Sequence, residues 1–223
     1  MYEKLIPPKY NQSLNISKSH FDFDNGILSA FEKSIEDLCS LYSVAIKPLN
    51  IENEKLKNKI EKYPYPTDTD SMESILLLRI NEQINAASDK INNVNSFLTQ
   101  VISVFCWTQI EQAENKLINL LNIKNKQEEH RGFTPWKLRK EYFKDNGVNI
   151  NDFKNYYGIL ELQKVNNKIK HLGKVDSDLI SFKPFQGKLN YPFEYIKLPV
   201  TKYVSNSYLY LIELMTEIED KAI

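Results

Sequence analysis

The chain has 223 residues, 42% of them hydrophobic and 26% charged, with 29 basic and 29 acidic side chains. That composition excludes a globally disordered chain, and the zero net charge leaves no overall field to draw the molecule onto nucleic acid or an anionic membrane. Any nucleic-acid contact is therefore a local patch.

The length suits one helical domain spanning residues 1–223, with residues 1–25 as an irregular N-terminal arm punctuated by Pro7 and Pro8. His20, inside that arm, reads as a surface residue. The first helix then carries Ile27, Leu28, Phe31, Ile35, Leu38, Tyr42 and Ala45 at spacings of three and four, a stripe that must be buried. Pro48 is expected to stop it, and IENEKLKNKIEK from Ile51 to Lys62 suits a separate short exposed helix. YPYPTDTD breaks the pattern again, and Asp70 with Glu73 resembles a capping box for the next element.

Ile75 to Ile123 is the longest periodic tract, and its second half, VISVFCWTQIEQAENKLINLL, is apolar enough to lie in the core. The poor helix formers in INNVNS predict two helices or one bent helix across it. Cys39 and Cys106 sit in apolar stretches without zinc-ligand spacing and read as reduced core residues. Lys124 to Thr134 is a polar loop containing His130 and Arg131, and Pro135 suits the first helical position of the next element. There Trp136, Leu138 or Arg139, Tyr142 and Phe143 form the buried side, and Asn146-Gly147 ends it.

Phe153, Tyr156, Tyr157, Leu160, Leu162, Val165 and Ile169 mark a further helix, which Gly158 is expected to divide and Gly173 to end. The irregular tract from Asp176 to Pro199 is rich in aromatics and is expected to lie down on the bundle, before a last helix over Thr201 to Lys221. Strand-like alternation is nearly absent. The fold class is all-α, a bundle of about five to seven helices with the aromatic-rich tract before the last one. No basic region precedes an apolar run at the N-terminus and no tract approaches a membrane span, which places the expected location in the cytoplasm. A phosphate loop, a GxSxG elbow, HExxH and paired CxxC are all missing, so no cofactor or metal is expected.

Chemistry concentrates in Glu161 to Val175, ELQKVNNKIKHLGKV. On a helix Asn167, Lys170 and His171 share one side, with Asn166 alongside and Lys164 and Lys168 near the rim. Ordinary C-terminal capping also accounts for Lys, His and Gly at a helix end, since cations suit the exposed carbonyls.

The string NNKIKH resembles the signature of the HEPN superfamily, helical proteins many of which are ribonucleases of toxin and antiviral defence systems. Its pattern is an Arg, then a polar residue such as Asn, then a His four to six residues on, near a helix end. Asn167 matches the polar residue and His171 the His, while Asn166 stands where the Arg is expected. Asn lacks the charge and the bidentate grip of a guanidinium. The resemblance covers about Phe97 to Gly173, with Glu111 or Glu114 matching a polar position on an earlier core helix. It implies a metal-independent endoribonuclease or a weakened RNA-binding relative, with His171 as acid/base and Asn166, Asn167 and Lys170 as phosphate or ribose contacts. Lys168, Glu111 and Glu114 are the supporting residues, and a homodimer or an operon-encoded partner is implied. The alternative is a non-enzymatic module that packs against a protein partner, for which the missing Arg and the aromatic-rich tract argue.

Overall fold

The computed structural model describes residues 23–67, 71–125, 133 and 135–221. Five α-helices account for most of them: α1 (Phe23–Lys62), α2 (Met72–Lys124), α3 (Trp136–Asp145), α4 (Tyr156–His171) and α5 (Val200–Lys221). Short 3-10 turns lie at Ile150–Asp152, Lys183–Phe185 and Phe193–Tyr195, and an isolated bridge joins Lys174 to Pro192. The all-α expectation holds. The expected arm lies almost wholly outside the described residues, as do Asp70, His20, His130 and Arg131.

Helix α1 does not stop at Pro48 and runs on for 40 residues. Proline there removes the hydrogen bond to the carbonyl four residues back, at Val44. Both Pro48 and Val44 lie on the exposed side, so the carbonyl released is not sealed in the core, while Tyr42 and Ile46 hold the opposite face there. Helix α2 likewise continues through INNVNS as a single element of 53 residues, where two helices or a bend were expected. Burial of Ile91, Ser96, Thr99 and Ile102 on one face outweighs the weak local propensity. Its N-cap is Ser71, whose Oγ accepts the Ser74 N–H at 3.1 Å.

The two long helices run antiparallel. Ile27 to Ile46 of α1 join Ile102 to Leu121 of α2 in the main core, and Leu56 meets Ile84 and Ile91 in a smaller cluster further out. Helices α4 and α5 complete the main core, with Ile159, Leu162, Val165, Tyr203, Leu211 and Leu214 fully buried. The aromatic-rich tract does lie against the bundle: Phe185 and Phe193 are buried, and the buried Ser96 hydroxyl donates to the Phe193 carbonyl at 2.9 Å. Tyr191 and Tyr195 of the same tract point outward. Both cysteines are free and buried as expected, and burial pushes the Cys39 thiol up to about 11 and Cys106 further.

Gly158 does not divide α4 but lies inside its first turns, where α5 passes close. A Cβ there would stand 2.0 Å from Asn206 Nδ2 and 2.7 Å from its Cγ. Gly158→Ala is therefore expected to lower the unfolding free energy by about 1–3 kcal/mol through overpacking. In an Asn206→Ala background the same change should be neutral or slightly stabilising, because alanine is the better helix former. Urea unfolding of the four proteins in this cycle checks both statements.

Candidate functional site

Helices α2, α3 and α4 leave an open cleft of about 420 Å³ between them. Trp107 and Glu111 enter it from α2, Trp136, Lys137 and Lys140 from α3, and Leu160, Gln163 and Asn167 from α4. Each set follows from helical spacing: Trp107 and Glu111 are four apart, Trp136 and Lys140 four, Gln163 and Asn167 four. The two indoles meet edge to face with centroids 5.3 Å apart. Lys140 Nζ lies 4.5 Å from the centre of the Trp136 ring and donates to the Tyr156 hydroxyl at 3.3 Å.

Beneath the cleft sits a buried polar network. The Glu114 carboxylate, fully buried, accepts the Trp136 indole N–H at 3.1 Å, Arg139 Nε at 2.5 Å, and the hydroxyl of Tyr210 from α5. Arg139, also fully buried, spends its remaining nitrogens on the Phe133 carbonyl at 2.7 Å and on Glu111 at 3.0 Å. Burial pushes the Glu114 carboxyl up, with the Arg139 charge and the three donors acting against it. Burial and the adjacent Glu114 also hold the Tyr210 hydroxyl well above its ordinary value, so it remains a donor. A parallel tie links α4 to α5, where the buried Glu161 accepts Tyr203 Oη at 2.9 Å and Lys202 Nζ at 2.8 Å.

The residues of NNKIKH do not converge on one point. Asn167 lines the cleft. Asn166 is buried, its Nδ2 donates to Asn167 Oδ1 at 3.3 Å, and its own Oδ1 has no partner among the described residues. Occupying the Asn167 oxygen in this way leaves the Asn167 Nδ2 as that side chain's available donor. Lys168 is held by Asp176 and, at 3.4 Å, by Asp178. Lys170 and His171 are exposed on the last turn of α4, which Gly173 closes at φ 64° by donating to the Lys168 carbonyl at 2.8 Å. His171 stands about 6 Å along the helix from Asn167.

Of the two acidic residues singled out on α2, Glu111 reaches the cleft and is a quarter exposed, whereas Glu114 is sealed in the network. Arg139, Trp136, Trp107, Lys140 and Gln163 were not among the expected site residues. The signal available for them was the i, i+3 pair Glu111/Glu114 on an apolar helix, matched by the i, i+3 pair Trp136/Arg139 on the next. Among the described residues no group of His, Cys, Asp and Glu is placed to hold a metal ion, and no helix is long and apolar enough to cross a membrane. Scans against protein-family models, curated proteins and solved structures return no match to this chain.

Replacing Arg139 with Met leaves two carboxylates facing each other without their guanidinium. The expected loss is roughly 3–5 kcal/mol of unfolding free energy, the range for breaking a buried ion pair. Adding Glu114→Gln to that variant should recover part of it, as read from denaturant midpoints. A second expectation concerns acid. Burial alone would raise the Asp176 carboxyl, but Lys168 and the backbone N–H groups of Asp178 and Leu179 outweigh it and hold it below its ordinary value. Its stabilisation is therefore complete above the ordinary aspartate value of about 3.9 and fades as the pH falls through the lowered one. The stability difference between wild type and Asp176→Asn, followed from about pH 6 to about pH 2, should shrink toward zero at the acid end.

Proposed function

We propose that this is a HEPN-like, RNA-directed protein of a defence or toxin-antitoxin type system, acting in the cytoplasm, whose cleft between α2, α3 and α4 receives a single unstacked nucleotide. The observation that carries this reading is the meeting, in one open cleft, of two tryptophans, two lysines and the carboxamides of Gln163 and Asn167. In such a site the amides serve as donors and acceptors for a base edge and the cations face phosphate, while Trp107 and Trp136, nearly buried and with Lys140 over the Trp136 ring, form the apolar floor. The volume lies within the range of small-ligand sites. Arg139 is shared between Glu111, at 3.0 Å, and Glu114, so with Lys137 and Lys140 three cations face two carboxylates and the balance at the cleft is a single positive charge.

From the cleft a strand laid along α4 reaches Lys170 and His171, both exposed. In the ribonuclease form of the proposal, His171 transfers the proton at the ribose 2′-OH or the leaving oxygen, and Lys170 faces the phosphate. Asn166, buried under Asn167, then acts by positioning it. The reading of the chain as a non-enzymatic interaction module is favoured by a different observation, the exposed apolar side chains Leu41, Val44 and Phe97.

Fluorescence anisotropy with a labelled single-stranded RNA of mixed sequence tests the proposal. Wild type should bind with a salt-dependent affinity, and the double variant Lys137→Ala/Lys140→Ala should lose roughly tenfold or more, with a shallower salt dependence. Absence of binding, or identical affinity in the variant, removes the RNA reading. In EDTA, loss of cleavage in His171→Ala supports the ribonuclease form, and cleavage equal to wild type eliminates it.

A further inference from the structure

A row of aromatic rings runs outward from the cleft. Trp107 meets Trp136 edge to face at 5.3 Å, Trp136 stacks on Tyr156 at 6.1 Å, and Tyr156 meets Tyr157 edge to face at 5.8 Å. The inner rings are spent: both tryptophans are buried, and Lys140 Nζ lies over the rings of Trp136 and Tyr156. Tyr157, at the end of the row, is 76% exposed, with Tyr156 supporting it from one side. Helical spacing carries the same line toward the other end of α4. Tyr157, Leu160, Lys164, Asn167 and His171 stand at i, i+3, i+7, i+10 and i+14, on one face, over a span of about 21 Å. Leu160 and Asn167 border the cleft. Helix α4 puts no carboxylate on this face: its one acid, Glu161, is buried and bonded to Tyr203 and Lys202.

We propose that Tyr157 is a base-stacking residue, taking on its open ring the base of the nucleotide next to the one held in the cleft, at the end of α4 opposite His171. The proposal rests on the RNA reading of the cleft and supplies what the cleft lacks, since its own tryptophans are too deeply buried to meet a base face to face. A strand on this path sets one base on Tyr157 and the next nucleotide beside Leu160 and Asn167, and then runs on toward Lys170 and His171. Stacking on tyrosine uses the face of a base and not its edge, so it tolerates any sequence and is closed to a base already stacked within a duplex. A rigid ring on the first turn of a helix loses little freedom when a base covers it. A protein partner laying a helix along the same line would call for apolar side chains at its anchor spacing, where this face has a cation, an amide and an imidazole after Leu160.

Anisotropy of the full chain with a labelled single-stranded RNA of mixed sequence, and with the same RNA annealed to its complement, tests it. Tyr157→Ala should weaken single-strand binding by roughly tenfold at unchanged salt dependence, because a stacking surface is lost and no charge is. Tyr157→Phe should bind as wild type does, and binding to the duplex should be the same in all three proteins. The unfolding midpoint of Tyr157→Ala should stay close to that of wild type, since the ring is mostly in solvent. Wild-type affinity in Tyr157→Ala, beside a loss in Lys137→Ala/Lys140→Ala, overturns the stacking and leaves the RNA reading standing. Equal losses in Tyr157→Ala and Tyr157→Phe overturn it as well, because the hydroxyl and not the ring then carries the contact, and so does an equal loss on the duplex. A wild-type protein that binds no RNA overturns both readings together.

Discussion

The structure depends on one buried carboxylate. Glu114 lies in the middle of the apolar half of α2 and collects the indole of Trp136, the guanidinium of Arg139 and the hydroxyl of Tyr210. Helices α3 and α5 are thereby fixed to α2 by directional bonds within the apolar core. An ionisable group so deep is costly unless both its oxygens find donors. Here three donors from two helices satisfy it, so a shift of either helix leaves an unpaired charge.

That constraint is also what shapes the cleft. Arg139 is held below by Glu114 and reaches upward to Glu111, and its neighbours on α3, Trp136 and Lys140, are set on the cleft side by the same rotation of the helix. Helix α4 closes the opposite wall and is held separately, through Glu161 to Tyr203 and Lys202 of α5. The wall residues Gln163 and Asn167 stand on a helix whose buried face is Ile159, Leu162, Val165 and Asn166. Rigid helices thus present the polar groups, while Lys170 and His171 are exposed on the last turn of α4, which Gly173 closes.

What was legible in the sequence followed from periodicity. The all-α class, the burial of the apolar stripe from Ile27 to Tyr42, the stop at Gly173 and the docking of the aromatic-rich tract all rest on spacings that local physics reads directly. The breaks expected at Pro48 and at INNVNS did not occur, because a long packed face can carry a helix across a residue that would end an isolated one. Exposure of Phe97 was hidden for a related reason: spacing shows which apolar residues share a face, but not whether that face is covered. For the site, Asn167 and Glu111 were legible as polar positions on core helices. Their meeting with Trp136 and Lys140 was not, since it is set by the pairing of Glu114 with Arg139, 25 positions apart.

The central claim is that a satisfied Glu114 network fixes α3 to α2 and so forms the cleft. With only two tryptophans in the chain, hydrogen exchange of their indole N–H groups by nuclear magnetic resonance addresses it directly. The Trp136 indole proton, bonded to Glu114, should exchange only as fast as the whole protein unfolds, and Glu114→Gln should accelerate it. Rapid exchange of the Trp136 indole proton in the wild-type protein would contradict the account.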